Sequence, residues 1–235
     1  MNGAFSRLRD AQTSPSGLFV TGTDTGVGKT YVARALVHAL TARGLRVCVR
    51  KPVESGWMDP ERSDAQALRR AAGAWEPLER VCPWRFVPAI SPALAAQRSG
   101  VAYDVRDLFQ ACTNASADFL VVEGAGGFYS PLAPEGLNAD LAVALQLPVL
   151  VVAADRLGAV NHTLLTLEAL HARGLTLAAL VFSVPEPAPE DLANLEELRR
   201  LTGLRSLVRV GHGEDAGPRL AGLLDPIAAA APSRC

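Results

Sequence analysis

Lysine is almost missing from this chain. Of 23 cationic side chains only Lys29 and Lys51 are lysines, and the rest are arginines. An ammonium is a compact point charge, whereas a guanidinium is a planar fork. A chain that otherwise uses arginine therefore marks these two positions as sites that want the compact charge. Long apolar runs are missing too: Gly, Asp or Arg interrupts each one, which excludes a membrane-crossing segment. The four cysteines (Cys48, Cys82, Cys112 and Cys235) are scattered with no C-x-x-C, so reduced thiols in a cytoplasmic protein are expected. No cysteine sits in a nucleophile-like context with histidine. The net charge is −1 with no basic stripe, which excludes a nucleic-acid footprint. Residues 1–17 carry Arg7, Arg9 and Asp10 but no apolar block, so they read as a flexible arm rather than a signal peptide.

What is present is the balance of a globular core, 49% hydrophobic and 20% charged over 235 residues. Apolar runs at 18–20, 45–49, 119–122, 148–153 and 177–182 read as buried strands, with a weaker one at 204–210. Between them the spacing predicts helices. One carries Val32, Leu36 and Leu40 and stops at Gly44, and others cover 63–72, 104–115, 137–145, 160–173 and 190–201. A short helix opens at Ser91-Pro92, and a weak one covers 216–230. Residues 74–91, rich in Trp and Pro, read as a loop or insertion. Continuous apolar strands separated by helices imply a mostly parallel sheet covered on both faces. The expected architecture is a single three-layer α/β domain of P-loop type over 18–235, with ligands outside the carboxyl ends of the strands.

Gly22-Thr23-Asp24-Thr25-Gly26-Val27-Gly28-Lys29-Thr30 follows the first strand and opens the first helix, the context a phosphate loop requires. Its glycines turn backbone N–H groups toward an anion, and the helix N-terminus adds partial positive charge. Lys29 would reach the β- and γ-phosphates and the Thr30 hydroxyl would bind Mg²⁺. The two outer glycines are separated by one residue more than usual, so the loop is a variant. Glu123 ends a strand and precedes Gly124-Ala125-Gly126-Gly127, which places a carboxylate at the sheet rim and reads as a metal ligand. Asp64 opens a helix. A metal ligand and a first-turn acid favoured by the helix dipole are both consistent with that position.

These pieces together resemble the dethiobiotin synthetase family. The resemblance rests on Val20-Thr21-Gly22-Thr23-Asp24-Thr25, Gly28-Lys29-Thr30, Lys51-Pro52-Val53-Glu54-Ser55-Gly56, Ser63-Asp64-Ala65, Ser91-Pro92 and Val122 to Gly127. Leu157-Gly158-Ala159-Val160-Asn161-His162 and Gly174 to Ala178 complete it, in family order over residues 18–182. The resemblance implies a Mg²⁺- and ATP-dependent closure of a ureido ring in biotin synthesis. One amine of 7,8-diaminononanoate captures CO₂ as a carbamate, whose oxygen attacks the γ-phosphate. The second amine then closes the ring and releases phosphate. It implies Lys51 and Lys29 as the catalytic cations. The implied nucleotide contacts are Thr25, Gly26, Val27, Gly28, Lys29, Thr30, Asp64, Glu123, Gly124, Ala125, Gly126 and Ser183. The implied metal ligands are Thr30, Asp64 and Glu123. Ser55 and Thr25 would meet the diamine or its carbamate. The substrate would lie at a homodimer interface, with its tail carboxylate at the helix start formed by Leu157, Gly158 and Asn161.

The chain departs from the family pattern where the base is read. Ser183 stands where some members place an Asn, and a hydroxyl offers one rotor where an amide both donates and accepts. Residues 208–213 lack the Pro of a Gly-x-hydrophobic-Pro stretch. These changes predict relaxed nucleotide selectivity, with UTP, CTP or GTP serving beside ATP. Three other readings compete. An amidotransferase-linked ligase would need a glutaminase domain for which there is no room. A partition-type switch ATPase would need a basic patch or an amphipathic anchor, yet beyond Leu220 only Arg234 is basic. A non-catalytic regulatory domain on the same fold would have no use for Lys29, Thr30, Lys51, Asp64 and Glu123 together.

Overall fold

The computed structural model describes residues 16–114, 116–187, 192–211, 213 and 216–223. Its centre is a six-stranded sheet of β1 (Ser16–Gly22), β2 (Val47–Arg50), β5 (Phe119–Gly127), β8 (Val149–Ala154), β9 (Leu177–Ser183) and β10 (Leu207–Val210). The spatial order is β10-β9-β8-β1-β5-β2, and every neighbouring pair is parallel. The mostly parallel sheet read from the apolar runs is thus found, with layers on both faces. Leu18 and Val20 of β1 face α1 (Lys29–Ala42), whose Val32, Leu36 and Leu40 are fully buried, and α2 (Asp64–Ala71) joins that layer through Leu68. Phe19 points the other way, toward Leu108, Leu141 and Leu170 of α5 (Val105–Thr113), α6 (Asn138–Leu145) and α7 (Ala159–Ala172). Alternate residues thus serve opposite cores, and this is why the strand is apolar throughout. Burial of one such leucine contributes about 2 kcal/mol.

Local chemistry sets the helix starts. Ser63 Oγ accepts from Gln66 N at 3.2 Å to open α2, and Ser91 Oγ accepts from Leu94 N at 3.4 Å to open α4 (Pro92–Ser99). Asp104 and Asp107 form a reciprocal capping box at α5, so Asp104 lies outside the helix expected from 104.

Several boundaries differ from expectation. β1 begins at Ser16, so the last two residues assigned to the arm belong to the sheet; residues 1–15 lie outside the described residues. β5 runs past Glu123 to Gly127. The helix expected over 190–201 is α8 (Asn194–Thr202), with 190 and 191 outside the described residues. Of the helix expected over 216–230, α9 (Gly217–Leu223) is described. The stretch read as a loop contains α3 (Leu78–Val81) and β4 (Trp84–Phe86), and β4 pairs in parallel with β3 (Val53–Ser55). A hairpin of β6 (Pro131–Ala133) and β7 (Gly136–Leu137) also escaped the pattern. Three residues are too few to show a period of two.

The insertion also protects the outer strand. β2 is a sheet edge. Trp75 Nε1 donates to Val47 O at 3.0 Å, and the Glu76 carboxylate takes two bonds from the fully buried Arg50 guanidinium, at 2.7 and 2.9 Å. Arg50 also donates to the carbonyls of Val49, Ala111 and Asn114, so its fork is satisfied where water cannot reach it. Cys48, Cys82 and Cys112 are buried free thiols, and Cys235 lies outside the described residues. Among the described residues no helix is long and apolar enough to cross a membrane.

Candidate functional site

β1 sits where the strand order changes direction, with β5 on one side and β8 on the other, so its carboxyl end opens into a crevice. The phosphate loop leaves β1 there. Thr23 N donates to Val152 O at 2.9 Å and Phe128 N donates to Gly22 O at 3.1 Å, which ties the loop to both neighbouring strands. Gly28 caps α1 with φ 92°, in the left-handed region. A Cβ there would also meet Ser183 Oγ at 2.4 Å. Lys29 Nζ reaches back over the loop and donates to Asp24 O at 2.8 Å.

A cleft of about 630 Å³ opens beside this loop. Thr25, Gly26, Gly28, Lys29 and Thr30 line it from the loop, Lys51, Ser55 and Asp64 from beyond β2, and Ala125 and Gly126 from β5. Glu123 lies fully buried beneath them. Its Oε1 accepts from Lys51 Nζ at 2.6 Å and from Thr30 Oγ1 at 2.8 Å, and Asp64 Oδ2 lies 3.1 Å from the same ammonium. Burial pushes the Lys51 ammonium down, but Glu123, Asp64 and Glu54 outweigh it and hold its pKa above the ordinary lysine value. Burial pushes the Asp64 carboxyl up, while Lys51 and the Thr30 hydroxyl bring it below the usual range. Asp64 is the first residue of α2, where the helix dipole favours an acid, and its side chain also faces the cleft.

Thr30, Asp64 and Glu123 bring one hydroxyl and two carboxylates together, an all-oxygen donor set suited to a hard divalent cation. Glu123 Oε2 is buried with no hydrogen-bond partner, an orphaned acceptor such a cation would satisfy. Among the described residues no group of three or more His, Cys, Asp or Glu forms a closed metal cage.

Other expected residues lie outside the cleft lining. Val27 is packed into the core and Gly124 is pressed against Asn138. Ser183 is buried with its hydroxyl against Gly28. Leu157, at 87% exposure, Gly158 and the exposed Asn161 stand at the start of α7, where Gly158 is the left-handed cap. Arg209 Nε donates to Asp155 Oδ2 at 2.6 Å, and His212 lies outside the described residues.

Sequence reasoning missed Asn138. It is fully buried at the start of α6, donating through Nδ2 to the carbonyls of Ala125 and Gly127 and accepting from Ala125 N through Oδ1. Ser130 Oγ accepts from Gly127 N at 2.8 Å. These two side chains shape the glycine-rich end of β5. Asn in Leu-Asn-Ala-Asp reads as an ordinary helix start, so nothing local signals the role.

Lys29 yields a pH prediction. Burial, and then the Lys51 charge, lower its pKa from 10.5 to about 8. Between about pH 8 and 10.5 the unfolded chain holds the proton that the folded chain has lost, so this group makes folding stability rise with pH across that window. If Lys29 holds the phosphates of a nucleotide, as the loop sequence leads one to expect, binding runs the opposite way, because a triphosphate favours the charged ammonium. The KM for ATP should rise above pH 8, approaching about tenfold per pH unit as one proton is taken up on binding. A flat KM between pH 7 and 10 would refute this role for Lys29.

The three-layer parallel sheet and the loop–lysine–threonine sequence after β1 define a P-loop nucleotide-binding protein. A family model described as an AAA domain matches residues 16–218. The ATP-dependent dethiobiotin synthetase of Anaeromyxobacter dehalogenans (strain 2CP-C) is 46% identical over 217 residues, covering 91% of this chain and 97% of that one. That of Ralstonia nicotianae is 44% identical over 189 residues, covering 77% and 82%. The chain belongs to the dethiobiotin synthetase family and is an ATP-dependent ligase of biotin synthesis. Among solved structures, a plasmid partition protein from Borrelia burgdorferi superposes with a TM-score of 0.56 at 11% identity, covering 90% and 97%. A nucleotide-binding protein from Archaeoglobus fulgidus in complex with ADP gives 0.50 at 13%, covering 90% and 86%. At such identities the likeness is one of fold, and it lends nothing to the switch-ATPase reading.

Proposed function

We propose that the cleft closes the ureido ring of dethiobiotin from 7,8-diaminononanoate and CO₂, converting ATP to ADP and phosphate. The supporting observation is that the only two lysines of the chain, Lys29 and Lys51, line one cleft with the phosphate loop. A carbamate and a γ-phosphate repel each other, and bringing them together requires fixed positive charge already in place. Lys29 serves the β- and γ-phosphates, and Lys51 faces the carbamate. Gly26, Gly28 and the start of α1 cradle the phosphates through backbone N–H groups. Thr25 and Ser55 orient the diamine and its carbamate by hydrogen bonding. Thr30, Asp64 and Glu123 would hold Mg²⁺, which when bound neutralises phosphate charge. Ala125 and Gly126 line the facing wall. The chemistry balances: carbamate oxygen bonds to γ-phosphorus as ADP leaves, and the second amine then bonds to the carbamoyl carbon as phosphate leaves.

The exposed helix start at Leu157, Gly158 and Asn161 lies outside the cleft lining and supports a homodimer in which a partner subunit supplies the carboxylate contact. The small Ser183 in place of an amide supports relaxed base selectivity.

One assay tests both readings. Phosphate release from Mg·NTP with bicarbonate should require the diamine, and turnover with UTP, CTP and GTP should be comparable to that with ATP. Release that ignores the diamine would sink the ring-closing assignment and favour a switch ATPase. A strong preference for ATP alone would sink the relaxed selectivity and leave the ring closure standing.

A further inference from the structure

The Lys51-Pro52-Val53-Glu54-Ser55 segment carries a carboxylate for which the reaction above has no use. Glu54 belongs to β3, lines the cleft and is only 7% exposed. Its Oε1 accepts from Asp64 N at 2.9 Å and its Oε2 accepts from Ala65 N at 2.9 Å. Asp64 and Ala65 are the first residues of α2, whose N–H groups have no acceptor within the helix. Ser63 already caps this helix by accepting from Gln66 N. Glu54 adds a connection that a cap from the neighbouring residue cannot make. It ties the helix to β3, the strand two residues beyond Lys51. Asp64 is thereby held between two fixed points, its N–H on Glu54 and its carboxylate 3.1 Å from Lys51 Nζ.

We propose that Glu54 is a positioning residue, which clamps the first turn of α2 to β3 so that the Asp64 carboxylate stays aimed at Lys51 and the Thr30–Glu123 pair. This rests on the reading of Asp64 and Lys51 given under the proposed function. The side chain acts by reach as well as by charge. A glutamine at position 54 offers one acceptor oxygen and sets its NH₂ against the second N–H.

The test uses the full chain as wild type, Glu54→Gln, Asp64→Asn and the double variant. It measures thermal midpoint, Mn²⁺ affinity by electron paramagnetic resonance with ADP present, and kcat and KM for the diamine. Glu54→Gln should weaken Mn²⁺ binding and lower kcat by about tenfold each, as expected for loss of a group that orients a metal ligand. The KM for the diamine should stay unchanged. The double variant should fall no further than Asp64→Asn, because both changes remove one interaction. Losses that multiply in the double variant would overturn the proposal, as would a Glu54→Gln that shifts only the thermal midpoint. Glu54→Asp keeps the charge but is one methylene short, and it decides the matter if the glutamine variant does not fold. It should behave as Gln does, and wild-type Mn²⁺ affinity in it would refute the clamp. Failure of the ring-closing reading is seen separately, as diamine-independent phosphate release by the wild type, and leaves the Mn²⁺ measurements to judge Glu54.

Discussion

Lys51→Ala should lower diamine-dependent phosphate release by about a hundred- to a thousandfold, the range for removing a preorganised charge from a developing transition state. The ammonium lies 2.6 Å from Glu123 Oε1 and 3.1 Å from Asp64 Oδ2, and it is almost completely buried. Its charge is therefore fixed in place before substrate arrives, and in the proposed reaction it needs no reorganisation when the carbamate meets the γ-phosphate. Removing it also leaves Glu123 buried with Thr30 as its remaining partner. Stability should fall by about 3 kcal/mol, the lower end for breaking a buried ion pair from one side. Lys51→Met fills the same space without charge and should lose activity equally. Lys51→Arg should not rescue, because a planar fork cannot take the place of a point charge between two carboxylates. ATP binding, measured by fluorescence of a nucleotide analogue, should persist, since Lys29 and the loop are untouched. Turnover within tenfold of wild type would remove Lys51 from the reaction.

The second large effect should come from a residue that makes no contact with the proposed substrates. Asn138→Ala removes three hydrogen bonds from the part-buried backbone groups of Ala125 and Gly127. Each orphaned group costs about 1–3 kcal/mol, so a total loss of about 4 kcal/mol is expected. For a chain of this size that corresponds to a fall of about 10 °C in thermal midpoint. Activity should fall with it even below the new midpoint. Gly124 packs directly on this side chain, and Glu123 precedes Gly124 in the same strand, so a cavity at 138 loosens the floor of the cleft. Asn138→Asp keeps the shape and the acceptor but loses the donor to two carbonyls, and it should be destabilised nearly as much. A midpoint within a degree of wild type would show that the loop holds itself.

The sequence alone determined what is local. A glycine loop between an apolar strand and a periodic helix, followed by Lys29-Thr30, specifies its conformation through its own backbone, and the structure places it at the crevice beside β1. Glu123 could be singled out because the apolar run ends there, although the carboxylate is fully buried within β5, which continues to Gly127, and does not sit at a rim. The scarcity of lysine singled out Lys51 before any contact was known, and the pairing with Glu123 gives that scarcity a physical sense. The continuous strands likewise announced a sheet covered on both faces, because each alternate side chain must enter one of two cores.

Tertiary structure decided whatever depends on partners distant in sequence. Only the fold brings Asp64 to a lysine thirteen positions earlier, which it shares with Glu123 of β5. Glu54, Glu76 and Asn138 carry no pattern of their own. Glu54 and Asn138 bond to backbone N–H and carbonyl groups, which every residue has and no sequence distinguishes. Glu76 is legible only once Arg50 is seen to be buried beside it. The β3–β4 pair joins segments 31 positions apart, Val53 to Trp84, through strands of three residues. Pairing at that distance is selected by packing against the rest of the molecule, since so short a strand has too little periodicity to declare itself.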